Sequence, residues 1–447
     1  MIFTKRLSLF SIIFCMAVLV GPARPAWSAE DEPANASALT KLSEALRFDL
    51  RILGSGMAEQ PSDSSQNPDN RFLQIPRYSA DMEFRPDLFL TTDVLDLQLK
   101  PRLLLTYQTW EEGVHDPTQA WDNEQYINEW LARWKAREDL FASYGRENLQ
   151  WGPSYLYSPS NPFFLYNGRR NPYQEVPGMD FGRVVWVAGS AWTGSFIANT
   201  NEGRNEINGP GPFEKVYALK VDYQGGDHYE SMILSHRENG ENSLGFYGGL
   251  TASDAVLLYA EGALVQGINA LYPQADTSPF GASMQRIYED DPAIQPVILM
   301  GSAYTFEDGG TLTAEYTYYG PGYDGAEADR YNDLKQKAAE AYSAAGPISL
   351  LSRLTLSQTI NTGLRLLRRN YALLQYTKTN IKDRIDLTLR WTQNLDDGSG
   401  QATAVASYML GDHFQLFTVA TVGAGSKDTE FKTLVDYQWM IGLQYTY

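Results

Sequence analysis

Leu95-Asp96-Leu97-Gln98-Leu99-Lys100-Pro101-Arg102-Leu103-Leu104-Leu105-Thr106-Tyr107 is the stretch whose reading decides the fold. Leucines and Tyr107 fall on one face of an extended chain, and Asp96, Gln98, Lys100, Arg102 and Thr106 fall on the other. Alternation with period two marks a β-strand whose faces meet different surroundings. The design returns. Tyr217, Leu219, Val221 and Tyr223 alternate with Ala218, Lys220 and Asp222; Leu312, Ala314, Tyr316 and Tyr318 with Thr313, Glu315 and Thr317. Ile385, Leu387, Leu389 and Trp391 alternate with Asp386, Thr388, Arg390 and Thr392. Polar faces this rich in charge cannot make the interior of a two-sheet sandwich. A soluble β-protein would turn the apolar faces inward. A transmembrane barrel would turn them to lipid and enclose the charges around water.

Three features favour the barrel. The strands run to about 10 to 13 residues, where soluble strands centre on about 5 to 6. Their apolar faces often end in Tyr or Trp, as a membrane-interface belt requires. Short turns such as Leu410 to His413 alternate with long connections at 108–124, 147–181, 267–295 and 320–348. The expected fold is therefore an all-β, transmembrane antiparallel β-barrel of about 16 to 18 strands, wide enough for an aqueous channel. The closing stretch fits. Trp439, Ile441, Leu443, Tyr445 and Tyr447 alternate with Gln438, Gly442, Gln444 and Thr446, as in a last strand sealing against the first. Tyr445 and Tyr447 then belong to an aromatic belt. By resemblance to outer-membrane barrels, which end on an aromatic residue, they are also a signal for the barrel assembly machinery.

The 447 residues open with Lys5 and Arg6, an apolar run from Leu7 to Val20 and a small-residue site at 26–29. That is the layout of a secretory signal peptide, expected over residues 1–29. Its removal takes Lys5, Arg6 and Arg24 but no acid, leaving 33 basic against 54 acidic residues. A chain so acidic is not built for nucleic acid. The one cysteine, Cys15, lies in the signal, so no disulfide framework or cysteine metal site is expected. Residues 30–70 read as a polar N-terminal segment with a short helical segment at Leu39 to Phe48 and a loop over 54–70. Residues 71–447 read as the barrel. Ala326 to Gly346 has helical composition and reads as a solvated surface helix in an extracellular loop.

Gly145 to Phe181 is the most unusual segment. It gathers Arg146, Trp151, Tyr155, Tyr157, Arg169 and Arg170 with several prolines and asparagines. Such a loop packs on the rim or folds into the lumen and narrows it. Arginines would form bidentate sites for carboxylate or phosphate, and Tyr and Trp faces would suit sugars. In the alternative, the aromatics pack the loop and the arginines pair with Glu147 and Glu175. Gly145-Arg146 to Trp151-Gly152 resembles the loop start of porin-like families, including alginate-export barrels. Trp151 to Asn161, "WGPSYLYSPSN", resembles a stretch of the capsule-assembly Wzi family, with Ser154 where that family tends to have Gly and without its paired asparagines. The resemblance implies polysaccharide export or surface attachment. Ser235 to Ser243, with His236, is similar to the outer-membrane phospholipase signature but lacks the Ser-Arg-Ser-Trp run. No nucleophile elbow or phosphate loop occurs, and the four histidines are scattered. Glu289 to Asp291 and Asp396 to Gly400 could hold Ca²⁺ weakly, the second also suiting a hairpin turn.

The expectation is a non-enzymatic, porin-like channel of the bacterial outer membrane, without cofactor, passing hydrophilic solutes, saccharides or anionic polysaccharides among them. Lys100, Arg102, Lys220, Glu315 and Arg390 would line the lumen. Opposed charges across a pore order water and favour hydrated solutes. Arg365, Arg368 and Arg369 would sit at a rim near anionic head groups. Expected partners are outer-membrane lipid and lipopolysaccharide, the assembly machinery and saccharides. The alternative is a non-conducting barrel for binding or assembling surface polysaccharide.

Overall fold

The computed structural model describes residues 43–115, 118–164, 167–205, 212–238, 240–289 and 291–447. The expected signal peptide lies outside them. Eighteen strands form one sheet in which neighbours in the chain pair antiparallel, and the first strand, Leu46–Pro61, closes on the last, Val435–Thr446. The seam runs from Arg51 opposite Thr446 to Pro61 opposite Val435. Closure leaves no unpaired sheet edge, which is what a sheet in hydrocarbon needs. Among the described residues no helix is long and apolar enough to cross a membrane.

The barrel starts at Leu46, not at residue 71, and strand reaches through Pro61 into the stretch whose composition suggested a loop. Residues 43–45 are helical, and the rest of the expected helix up to residue 42 lies outside the described residues. The discrepancy has a physical cause. Gly54, Gly56 and Ala58 take the outward positions opposite the lipid-facing Leu443, Ile441 and Trp439, and a Cβ on Gly54 would meet nothing within 4 Å. Small residues carry no hydrophobic period, yet their backbones pair on both edges.

The alternating faces go where lipid and water would place them. Leu219, Leu234, Leu416, Ile441 and Leu443 are exposed on the outside, while Arg102, Lys220, Glu261 and Glu315 are buried within. Trp134, Trp186, Trp192 and Phe414 stand exposed toward the short-turn end, and Tyr78, Trp121, Tyr217 and Tyr437 toward the other. Short turns at 92–94, 138–139, 189–191, 225–227, 254–255, 306–310, 382–384 and 411–413 share one end with the chain terminus. There Tyr447 exchanges backbone hydrogen bonds of 2.9 and 3.2 Å with Leu50, and Tyr445 packs on Phe414. Long connections, including 62–77, 148–178, 267–294, 320–369 and 425–434, share the other end.

Over that end four connections build a cap with its own core. The 267–294 connection carries a hairpin, Tyr272–Ala275 with Ala282–Gln285, and the 320–369 connection carries helices α1 (Gly325–Ala341) and α2 (Pro347–Ile360). Asp324 and Glu327 form a capping box at the start of α1. The sequence suggested a solvated helix here, but α1 buries Ala328, Tyr331, Leu334, Lys335 and Ala338 against Leu271, Tyr272, Tyr323 and Leu356. Its small and aromatic positions recur at three to four residues, a face that α2 and the hairpin cover. Lys335 donates to the Asp428 carbonyl at 3.1 Å, and burial pushes its ammonium below the ordinary lysine range. The arginines at 365–369 do not form a lipid-facing cluster. Arg365 donates to the carbonyls of Ser158 and Asn161 at 3.0 and 2.8 Å, and Arg369 to that of Gly322 at 2.9 Å. Arg365 ties this connection to the 148–178 loop and Arg369 braces its own, because a guanidinium has five donors and loop carbonyls lack sheet partners.

Candidate functional site: the loop inside the barrel

The connection 148–178 lies inside the lumen and circles it. Its aromatic start docks on the wall beside its own root, where Trp151 meets Phe163 with ring centroids 5.8 Å apart and Phe163 meets Phe181 at 5.0 Å. Ile197, Val216, Ala218 and Ile233 complete that cluster from three further strands.

The next part is held by two buried carboxylates across the lumen. Glu261, on the strand Val256–Gln266, accepts from Ser154 Oγ at 2.8 Å, from Ser160 Oγ at 2.7 Å and backbone N–H at 3.2 Å, and from Ser158 Oγ. Gly152 closes this nest: a Cβ there would lie 2.3 Å from the Glu261 carboxylate. Glu315, on the strand Thr311–Tyr319, accepts from the N–H groups of Tyr155 and Leu156 at 2.7 and 3.2 Å and from Tyr259 Oη at 2.7 Å. Between them stands Gly301, opposite both Tyr259 and Glu315. A Cβ on Gly301 would meet the Tyr259 ring at 2.2 Å, so glycine is what lets Tyr259 reach across a strand.

The returning arm completes the circle. Arg169 donates to the carbonyls of Gly152 and Ser154, both at 2.9 Å, and its own carbonyl accepts from Arg390 at 2.9 Å. Tyr173 stacks on Phe417 at 3.7 Å. Glu175 then takes a two-point grip from the fully buried Arg102, at 2.7 and 2.8 Å, with Arg51 at 3.5 Å and Asn128 at 3.3 Å. Arg102 also pairs with Asp87 at 2.9 Å. Burial raises the Glu175 carboxyl, but bonding to Arg102 and the charges of Arg102, Arg85 and Arg51 outweigh it and hold the group below its ordinary value.

Inside the circle lies a cavity of about 720 Å³. Tyr155, Asn167, Arg170, Asn171, Gln174 and Glu175 line it from the loop. Glu124, Arg204, Arg390, Thr392, Gln401 and Thr403 line it from outside the loop. Two cations lie near the Tyr155 ring, Arg169 at 5.0 Å and Arg390 at 5.8 Å from its centre.

Of the residues singled out in the sequence, Tyr155, Arg170 and Arg390 line this cavity, and Arg102, Arg169 and Glu315 fix the loop around it. Lys100 pairs with Glu129 at 3.0 Å and Arg146 with Asp180 at 2.7 Å, both on the wall. Lys220 is tied to Asp222 and lies 5.6 Å from the Trp151 ring. Trp151 and Tyr157 do not face the cavity. Trp151 packs on Phe163, and Tyr157 is buried against Tyr319 at 5.9 Å. A sugar platform of Trp151, Tyr155 and Tyr157 therefore does not form. The suggested pairing of loop arginines with Glu147 and Glu175 is also different: wall arginines take both, Arg183 binding Glu147 at 2.9 Å. Sequence reasoning missed Glu261, whose signal was the serine triplet at 154, 158 and 160. Among the described residues no group of His, Cys, Asp and Glu suits a metal ion; Asp290, in the first of the two acidic stretches weighed for Ca²⁺, lies outside them. His236 bonds Asn242 at 2.8 Å on the outer face, while Ser243 bonds Ser235 at 2.6 Å inside, so alternation separates the two groups a hydrolase would join.

No protein-family model matches the chain, and no curated protein does. Solved structures do. The outer-membrane protein OprD of Pseudomonas aeruginosa superposes with a TM-score of 0.54 at 7% identity, covering 90% of this chain and 94% of that one. OccK11 (OpdR) of the same organism gives 0.50 at 11% identity, covering 90% and 96%. The fold is that of an outer-membrane porin. At such identities the likeness speaks for the fold alone, and it does not extend to the capsule-assembly resemblance of Trp151 to Asn161.

Proposed function

We propose that the protein is a passive, porin-like channel of the bacterial outer membrane for small hydrophilic solutes, with the 148–178 loop as its constriction. The observation that carries this reading is the course of the loop. The loop is held to the inner wall at Glu261, Glu315 and Arg102 and leaves a cavity of about 720 Å³, the arrangement a constriction in a channel requires. The cavity lining mixes Arg170, Arg204 and Arg390 with Glu124 and Glu175, so a solute meets both signs of charge within one narrow passage. Such a passage favours polar, hydrated molecules of modest size and resists apolar ones, because shedding water is costly where only part of it is replaced.

Planar-bilayer recording of the purified protein tests this. Stepwise, ohmic insertions are expected, and shortening the loop between Leu149 and Pro177 should enlarge each step. Absence of steps at any voltage, from protein shown to be inserted, overturns the channel.

A further inference from the structure

Closure removes sheet edges from the wall that meets hydrocarbon, but at the long-connection end one strand outruns its neighbour. The strand Gln119–Arg137 pairs with Leu95–Thr109 from Gln119 down to Trp134. Its other neighbour, Leu140–Glu147, meets only its lower part, with Arg146 opposite Trp130. Above that level the strand has one partner. Trp110 N–H donates to the Thr118 carbonyl at 3.3 Å, and bonded pairs recur at every second residue of an antiparallel ladder. The backbones of Ala120, Asp122 and Glu124 therefore bond Leu95–Thr109, and those of Gln119, Trp121, Asn123 and Gln125 point away from it. Arg146 donates to the Ile127 carbonyl at 3.4 Å, and Asp122 Oδ1 accepts from the Asn123 N–H at 2.8 Å. Among the described residues nothing else bonds the outer backbone edge from Gln119 to Gln125, and every residue of that stretch is exposed.

We propose that this edge binds, by strand addition, an extended and basic segment of another protein at the cell surface. An unpaired edge offers N–H and C=O groups in register to an incoming strand of about seven residues, whatever its sequence. Charge chooses among the strands that could come. Between Arg102 and Arg133 the chain has no lysine or arginine, and it carries Glu111, Glu112, Asp116, Asp122, Glu124 and Glu129. Arg77, Arg204 and Lys100 meet Glu111, Glu124 and Glu129 at 3.5, 2.7 and 3.0 Å. Among the described residues no cation meets Glu112 or Asp122. A second copy of the chain, edge to edge, would bring the same acids against these and is repelled. Trp121, 77% exposed with its ring 4.7 Å from that of Tyr107, presents an aromatic face to an incoming lysine or arginine. The edge stands away from the chain terminus and the short turns, at the cell-surface end of an outer-membrane barrel. Conduction plays no part in this binding.

The test titrates full-length protein in mild detergent with a fluorescent peptide of about seven residues alternating lysine and threonine, and with its glutamate–threonine counterpart. The basic peptide should bind and the acidic one should not. Gln125→Pro removes an outward N–H and leaves the bonds to Leu95–Thr109 in place, since proline is tolerated on an open edge. It should weaken binding of the basic peptide by at least about tenfold, whereas Gln125→Ala should not. Equal binding by those two variants means that charge alone holds the peptide, and it overturns strand addition. Glu112→Gln with Asp122→Asn should also weaken the basic peptide. No loss in that variant, or equal binding of both peptides by the unaltered protein, overturns the basic partner. Should the proline variant lose its heat-modifiable migration, amide hydrogen exchange of the unaltered protein decides. The basic peptide should slow exchange at Trp121 and Gln125 and leave Ala120 and Asp122, already bonded, as they were. Slow exchange at Trp121 and Gln125 without peptide would show the edge covered already, by this chain or a second copy, and overturns the site.

Discussion

The Glu261 carboxylate accepts a 2.7 Å hydrogen bond from Ser160, 101 residues away in sequence, and neither side chain reaches solvent appreciably. Wall and loop are locked at this point. Glu261→Ala leaves the Ser160 hydroxyl and N–H without their acceptor, while Ser154 and Ser158 keep the carbonyls of Tyr157 and Trp151, and hydrogen bonds to charged groups contribute about 1.5–3 kcal/mol each before relaxation. The strand ladder is untouched, so the barrel should keep its heat-modifiable migration while open-channel current noise rises severalfold. Glu261→Gln, which retains an acceptor, should fall between. Quiet wild-type-like channels in Glu261→Ala would show that the serine nest does not hold the loop.

Arg102→Ala exposes a different weakness. It strips the buried partner from both Glu175 and Asp87, and breaking a buried ion pair costs about 3–5 kcal/mol. Urea unfolding in detergent should show a lower midpoint, and protease should cut the 170–177 arm, which the native protein protects. Arg102→Lys supplies the charge without the planar fork and should recover only part of the loss.

Acid should act through Glu175. Its carboxyl titrates below the ordinary 4.5 in the folded protein because Arg102 and its neighbours outweigh burial. A lowered folded value contributes stability that is complete above 4.5 and is lost as pH falls through the folded value. Channel noise and protease cutting of the arm should therefore stay flat from neutral pH to 4.5 and rise below it. An onset between pH 5 and 7 would assign the transition to another group.

Arg390→Ala removes one of the two cations near Tyr155 and one of the positive charges on the cavity. Reversal potentials in a salt gradient should shift toward cation permeability, and the shift should shrink at high salt as screening grows. Tyr155→Ala should raise conductance with a smaller change in selectivity, since it removes bulk but no charge.

At the seam, deleting Tyr447 removes the two backbone bonds to Leu50 along with an exposed aromatic side chain. Membrane-inserted yield should drop more than the conductance of the barrels that do form. Normal yield would count against a terminal assembly signal.

Much of the wall was legible in the chain. Leu219 and Lys220, Leu389 and Arg390, or Tyr316 and Glu315 go to opposite sides as their alternation requires, because a strand between lipid and water sorts side chains residue by residue. The first strand was not legible, since Gly54, Gly56 and Ala58 leave that part of its outer face without large apolar side chains. In the loop, composition distinguished Gly145 to Phe181 from ordinary linker but could not say that Trp151 and Tyr157 would be spent on packing while Tyr155 alone of the three faced the cavity.

Local pattern, then, determined by itself that this chain makes long two-faced strands, with charge inside and aromatic belts outside. Periodicity is a property of neighbours along the chain, and the pleat converts it directly into two faces. Tertiary structure alone decided where the loop lies and what the cavity is made of. Glu261 meets Ser154, Ser158 and Ser160, and Arg102 meets Glu175, only after closure of the sheet brings distant strands around a common lumen. Buried charges accept partners wherever the closed barrel presents them, and sequence separation places no limit on which those are.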